Sequence, residues 1–561
     1  MERVSEQQGS DVAPRAALLL VVALAFVPGF GGAWGRDDFA QLAYMRLIGS
    51  PWPLFAHDHF FAAGSVFRPL GFASMWLDTA LFGSGYAGHA LAGLALHLGV
   101  ALALYGLMRT TGIGRWIAAA CAALFAAHPV AIGTALWWSA RFDELAILFA
   151  LLALRAAVAQ EARGGWRSLG ACALAMLAAA LSKETGLAAI GAVCAYALLL
   201  GARDRAARHA AAGLLASCVA VALGYFAWRW LVLGTAGSRL SDGQAPLGLA
   251  LWKGLGDWTH YAAGYASYWA RLGGAQRLLV AAAPIVLATV LARPVTEHAR
   301  GGPSGDGRRA GPRDLHPLAL GAASLMLLPA FLQAPVVAMN GAALGFAGSA
   351  LEAAMQSRLY DLGLAGAALL LATLLAHRAR GRARGVGFAL ALAIAGFASA
   401  GYATARDCAE RSAAIASPAY AAAAAVEALD LPREHCHVFV LGVAPPPEWG
   451  VFVSMDSVVK ALAADPARLR HCFIHSDYKT IFYVTARGTG PDDAYPFAPR
   501  ESRRGAIPWL EIGDVTLAYL RYQPERVLPD PAGMTFLRYE NGAFRDVGAD
   551  VAAGRLEVRM N

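Results

Sequence analysis

Two adjacent carboxylates, Asp37 and Asp38, follow the first long apolar run of the chain, where a membrane helix would meet water. An ionisable side chain beside a membrane segment is expensive enough that function is its default reading. Either carboxylate could act as a general base on an acceptor hydroxyl brought within hydrogen-bond reach. Neighbours on a turn cannot both face one site, so the second would order a loop, hold an arginine or bind a cation. A divalent cation is thereby left open as a cofactor, and no other is specified. The plainer alternative is a solvated loop.

Arg68, Arg141, Lys183 and Arg358 come from four segments that border apolar runs. A guanidinium matches phosphate oxygens two at a time, and an ammonium adds a compact charge. Together they could hold a lipid phosphate and stabilise it as a leaving group. Taken singly, each could equally snorkel to the headgroups. Asp143 and Glu144 open a helix, as does Glu184 after Ser182, so all three suit helix capping as well as catalysis. His128 precedes Pro129, which can simply end a helix, although His128 could also donate to a phosphate.

The elements that must position these groups are membrane helices. The 561 residues are 57% hydrophobic and only 15% charged, with a mean hydropathy of +0.46. That excludes an ordinary soluble protein. Apolar runs at 15–34, 86–108, 115–137, 142–160, 167–182, 185–201, 209–233, 278–293, 316–337, 359–376 and 386–405 predict a polytopic bundle of about eleven helices. The first run lacks a small-residue cleavage site and reads as an uncleaved helix. Of the seven cysteines, Cys121, Cys172, Cys194 and Cys218 lie in apolar runs and read as small core residues.

The net charge of +8 comes mostly from arginine clustered between apolar runs, which fits membrane topology and excludes nucleic acid as the partner. Alternate loops hold Arg109 and Arg115; Arg155, Arg163 and Arg167; Arg203, Arg205 and Arg208; Arg293 to Arg313; and Arg378 to Arg384. By the positive-inside rule these loops are cytoplasmic. The N-terminus is then cytoplasmic and the C-terminal domain periplasmic, on a bacterial inner membrane. Asp37, Asp38, Arg68, Ser139 to Glu144, Ser182 to Thr185 and Gln356 to Tyr360 all fall at outer helix ends. The helix interiors hold almost no ionisable residue except His97. A transporter or flippase would bury charges near the midplane, so one-sided clustering points instead to surface chemistry on a substrate whose tail lies in the bilayer.

This divides the chain into a membrane domain over 1–405, with a first periplasmic loop at 35–85 and an aromatic loop at 235–277, and a periplasmic domain over 406–561. In the aromatic loop, Trp252, Leu255, Trp258, Tyr261, Tyr265 and Tyr268 repeat at helical spacing, as in an interfacial helix. In the periplasmic domain, strands are expected at His437 to Val443, Cys472 to His475, Ile481 to Thr485, Thr516 to Tyr522 and Thr535 to Tyr539. An amphipathic helix is expected at Ser454 to Ala464, giving a small α/β fold. Cys436 and Cys472 would sit in an oxidising compartment and favour a disulfide. His435, His437, His471 and His475 flank them, but their spacing matches no standard zinc pattern.

The ordered set Asp37-Asp38, Arg68-Pro69-Leu70, His89 with His97, His128-Pro129-Val130, Ser139 to Glu144, and Ser182-Lys183-Glu184-Thr185-Gly186 resembles the GT-C glycosyltransferases. It looks closest to the branch of transmembrane and tetratricopeptide-repeat O-mannosyltransferases and their bacterial relatives. Ser357-Arg358-Leu359-Tyr360 is similar to that branch's later Arg-x-x-Tyr segment, which adds Tyr360 to the candidate residues. The resemblance covers 15–200 well, 350–380 weakly and the C-terminal domain not at all. It implies a GT-C fold and a hexosyltransferase-like enzyme whose donor is a sugar on a polyprenyl phosphate. It further implies Asp37 as catalytic base, Asp38 as its acidic partner, and Arg68, Arg141, Lys183 and Arg358 on the donor phosphate. The chain lacks tetratricopeptide repeats, so protein O-mannosylation does not carry over. The acceptor could be a lipid, glycan or protein, including an envelope-lipid acceptor as in aminoarabinose transfer to lipid A. One displacement would invert the anomeric centre.

Overall fold

The computed structural model describes residues 11–35, 37–57, 66–234, 273–292, 315–340, 361–378, 383–432, 436–443, 454–477, 482–490, 497–499, 509–522 and 534–558. Residues 235–272 of the aromatic loop, Arg358 and Tyr360 lie outside them, as does His435. Two compact units emerge, one of residues 1–29, 92–228 and 244–407, the other of 30–91, 229–243 and 408–561.

Helices dominate the first two thirds of the chain. They are α1 (Val12–Phe26), α2 (Asp37–Leu47), α3 (Pro69–Phe82), α4 (Tyr86–Thr110), α5 (Arg115–Ala127), α6 (Ile132–Ala135), α7 (Arg141–Arg163), α8 (Trp166–Ser182), α9 (Ala188–Gly201), α10 (Arg205–Leu233), α11 (Gly274–Ala292), α12 (His316–Asn340), α13 (Asp361–Arg378) and α14 (Ala383–Glu427). Each expected apolar run carries a helix. Among the described residues six helical segments are long and apolar enough to cross a membrane: Val12–Gly31, Tyr86–Thr110, Glu184–Gly201, Arg205–Leu233, Gly274–Leu291 and Gly385–Glu427. The chain is a multi-pass membrane protein.

The first unit is packed through small residues. Ala118, Ala122, Ala126, Ala146, Ala150, Ala179, Ala192 and Ala372 are fully buried, because close backbone approach and dispersion, rather than hydrophobic transfer, hold helices together in lipid. Large apolar side chains instead face outward, among them Leu20, Leu174, Leu198, Leu223, Leu278 and Phe388, as a lipid solvent requires.

One expected span is corrected. The run at 115–137 does not form a single helix: α5 stops at Ala127, His128 is extended (φ −63°, ψ 130°), and two short 3-10 turns with α6 between them lead to α7. Pro129 causes the break, since it disfavours a helical residue before it and supplies no N–H.

In the second unit, the described residues form eight strands in two sheets. β1 (His437–Leu441) pairs in parallel with β2 (Phe473–Ser476) and β7 (Thr535–Glu540), and β7 is antiparallel to β8 (Ala543–Asp546). β6 (Val515–Tyr522) is antiparallel to β3 (Phe482–Ala486), β4 (Phe497–Pro499) and β5 (Trp509–Ile512). The strands and helix expected from the sequence are present within a residue or two. The central β1 is buried along its whole length, as a strand paired on both edges and covered on both faces should be. Asn541 and Gly542, both at positive φ, turn β7 into β8, the Asn-Gly pair that a two-residue hairpin favours.

α15 (Met455–Leu462) makes the crossover between β1 and β2. Ser454 Oγ caps it by accepting from Ser457 N at 3.1 Å. The Cys436–Cys472 disulfide joins the starts of β1 and β2. Deep in this crossover Lys460 Nζ donates to Asp456 Oδ1 (2.7 Å), Cys472 O (2.7 Å) and Val484 O (2.6 Å). Asp456 also accepts from the amides of Ile474 and Val484. The pair thus ties α15 to β2 and β3. α16 (Gly548–Ala552) closes the domain.

His437 and His475 do not form a metal cluster of three or more ligands with any described neighbour. Their rings stack, with Nδ1 of His437 3.0 Å from Nε2 of His475, and His475 Nδ1 lies 2.9 Å from the Tyr483 hydroxyl. Burial, helped by the charges of His437 and Lys460, pushes the His475 imidazole well below its ordinary range.

Candidate functional site

The sequence-predicted residues fall into two groups, one in each unit. In the first unit, α7 and α8 pack as an antiparallel hairpin around Gly164 and Gly165, both at positive φ. The hairpin brings the start of α7 and the end of α8 to the same end, and with them Arg141, Asp143, Glu144, Ser182 and Lys183. Lys183 Nζ reaches Asp143 Oδ1 at 2.5 Å. The turn from Lys183 to Leu187 lies directly on α8: a β-carbon on Gly186 would stand 2.0 Å from the Ala179 carbonyl oxygen. Only glycine permits that approach, which explains the last residue of the Ser-Lys-Glu-Thr-Gly motif.

Arg141, Asp143, Glu144 and Lys183 are all less than 8% exposed. Glu144 Oε1 meets His97 Nδ1 at 2.7 Å, and His97 Nε2 meets the Ala126 carbonyl at 3.0 Å. A carbonyl only accepts, so Nε2 carries a proton, and a second proton is shared between Nδ1 and Glu144. The interior histidine singled out in the sequence therefore belongs to this cluster.

Asp361, the first residue of α13, is fully buried and accepts a hydrogen bond from Thr134 Oγ1. It also feels the charges of Glu144, Asp143 and Lys183. Sequence reasoning missed it. The only signal was its place directly after Arg358-Leu359-Tyr360, and an acidic residue opening a helix has an ordinary explanation in the helix dipole. Glu184 is half-buried beside Lys183. His128 is also only partly enclosed, its ring edge-on to Phe397 with centroids 4.6 Å apart.

In the second unit Asp37 and Asp38 are the first two residues of α2, where the free N–H groups and positive dipole end favour carboxylates. Asp38 is 3% exposed and Asp37 is half-buried. Trp34 fixes the approach: it is wholly buried, its Nε1 donates to Ser84 O at 2.9 Å, and its ring meets His89 and Tyr86 edge-on. Tyr86 is in turn within electrostatic reach of Asp38. Arg68, half-buried, precedes Pro69 at the start of α3, where proline suits the first helical turn.

The structure thus gathers Arg141, Asp143, Glu144 and Lys183 with His97 and Asp361 in one unit, and places Asp37, Asp38 and Arg68 in the other. Chemically, the first group offers buried cations for an anion and a carboxylate–imidazole pair able to move a proton. The second offers a carboxylate at a helix start.

No protein-family model matches the chain, and no curated protein matches it. Among solved structures, the crystal structure of ArnT from Cupriavidus metallidurans bound to undecaprenyl phosphate is similar over 92% of this chain and 99% of that one, with 15% identity and a TM-score of 0.37. A TM-score of that size does not establish a shared fold.

Proposed function

We propose that this protein is a membrane glycosyltransferase of GT-C type that moves a sugar from a polyprenyl phosphate to an acceptor hydroxyl at the outer face. The observation that carries the reading is the burial of Arg141, Asp143, Glu144 and Lys183 at one end of an otherwise apolar helical unit. All four belong to the ordered motifs on which the resemblance rests. Burying four ionisable side chains in a membrane protein is too costly to be incidental. In the proposed mechanism Asp37 or Asp38 accepts the proton of the acceptor hydroxyl. The hydroxyl oxygen then displaces the lipid phosphate from the anomeric carbon, and the cations Arg68, Arg141, Lys183 and Arg358 take the charge released on the phosphate. A single displacement inverts the configuration.

The test is sugar transfer in membranes holding matched amounts of wild type, Asp37→Asn and Asp38→Asn, supplied with a panel of radiolabelled hexoses on decaprenyl phosphate. Transfer by wild type and a loss of at least a hundredfold in one Asn variant is the expected result. Full activity in both variants would remove the acidic pair from the mechanism, and a retained anomeric configuration would remove the single displacement.

A further inference from the structure

The helix that carries the acidic pair is tied at its other end to the C-terminal domain. Arg46, in the last turn of α2, donates through Nη1 to the carbonyls of Ala461 (2.9 Å), Ala463 (2.5 Å) and Lys460 (3.5 Å), and through Nη2 to that of Ala464 (3.1 Å). These carbonyls are at or just beyond the C-terminal end of α15, where the last turn of a helix lacks intrahelical donors and carries the negative end of the dipole. A guanidinium there satisfies several acceptors at once, and the carboxylates of Glu427 and Asp465 are close enough to reinforce it.

A second contact stands beside the first. The turn between β5 and β6 packs on the segment that follows α2: a β-carbon on Gly513 would sit 3.3 Å from both Ile48 Cγ1 and Pro53 Cγ, and one on Gly49 would stand 2.5 Å from Asp514 Oδ2. Both glycines have positive φ, so neither position admits another residue without strain. On the near side of the acidic pair, Ala33 N donates to Ser412 Oγ of α14 at 3.0 Å. The chain on both sides of Asp37 and Asp38 is therefore anchored to residues beyond 407.

From these contacts we infer that the C-terminal domain works as a clamp that sets the position of the acidic pair, with Arg46 as the positioning residue; the inference rests on the transferase reading of Asp37 and Asp38. An α-helix is stiff over the nine residue steps from Asp37 to Arg46, about 14 Å at 1.5 Å per residue, so fixing one end aims the other. A displacement of about 1 Å at a catalytic group can lower the rate about a hundredfold. Arg46 touches no reacting atom in this scheme, and its effect is carried by α2.

The experiment uses the full chain in lipid nanodiscs, as wild type, Arg46→Ala and Arg46→Lys, with two readouts. Hydrogen exchange reports the protection of the amides of residues 38–47, and transfer from the decaprenyl-phosphate hexose that wild type consumes gives kcat and KM. Arg46→Ala is expected to speed exchange in 38–47 at least tenfold. It should lower kcat at least tenfold while KM for the donor stays within twofold. Arg46→Lys, which keeps a charged donor at the same carbonyls, should recover most of both. Unchanged exchange in Arg46→Ala overturns the clamp whatever the activity. Faster exchange with wild-type kcat overturns the positioning of the acidic pair. An inactive wild type overturns the transferase reading, while exchange still decides the clamp. If Arg46→Ala does not fold, Gly513→Ala loads the second contact and is expected to show the same pairing of faster exchange with lower kcat; loss of neither refutes the inference.

Discussion

At the scale of single residues, the most informative side chains are the charges held away from water. Lys460 uses all three of its protons on Asp456, Cys472 O and Val484 O, and both members of the pair are fully buried. Burial pulls the lysine below its ordinary range and lifts the aspartate against the attraction between them. Removing one partner of such a pair leaves a buried charge uncompensated and costs about 3–5 kcal/mol. Lys460→Met should lower the stability of the C-terminal domain by that amount in denaturant titrations followed by proteolysis of the full chain. A loss below about 1 kcal/mol would mean that the pair is not the anchor described. Lys460 was visible in the sequence as one of few lysines, yet nothing local marked it. An aspartate and a lysine four residues apart read as a surface pair on a helix, and only the strands β2 and β3 packed over α15 make it an interior one. Lys183 and Asp143 were legible because each sits in a dense polar motif beside an apolar run. Asp361 was not, because its hydrogen-bond donor Thr134 lies 227 positions away in sequence.

At the scale of elements, hydropathy located the apolar helices and short apolar runs located five of the strands, since both signals are local. What it could not locate was the point where an apolar run stops being one helix. The run ending near Leu136 has the composition of a span, but His128-Pro129 divides it, and the resulting irregular stretch places Thr134 against Asp361. Arg46 escaped notice for a similar reason: at the end of a short loop helix it looks like a dipole-matching surface residue, and its true partners are carbonyls more than four hundred positions later. The disulfide was foreseen from the expected oxidising compartment. It closes a stretch with a sequence separation of 36 that contains α15 and the clamp carbonyls. Chain-entropy reasoning assigns such a loop about 3–4 kcal/mol. Cys436→Ala with Cys472→Ala should therefore lower the denaturant midpoint of the C-terminal domain, and reductant should do the same to wild type but not to the double variant. Equal stability in all cases would show that the crossover is held by the Lys460–Asp456 pair alone.

At the scale of the whole molecule, the distribution of charge along α7 and α8 makes the strongest claim. α7 has 23 residues and is about 35 Å long. Arg141, Asp143 and Glu144 stand at its start and Arg163 at its end. α8 runs back, from Arg167 near its start to Lys183 just past its end. The polar cluster and the basic turns are thus separated by the length of a helix, and the positive-inside rule puts the basic turns in the cytoplasm. On the proposed topology the cluster would face the outer side, where the proposed donor would arrive on a lipid. The test is a pair of reporter fusions: alkaline phosphatase, active only outside, and a fluorescent protein that folds only inside. Joined after Arg203, the phosphatase should be silent and the fluorescent protein bright; joined at the end of the chain, the result should reverse. The opposite pattern would turn the cluster toward the cytoplasm, where a nucleotide sugar could serve directly, and the case for a polyprenyl-phosphate donor would lose its physical basis.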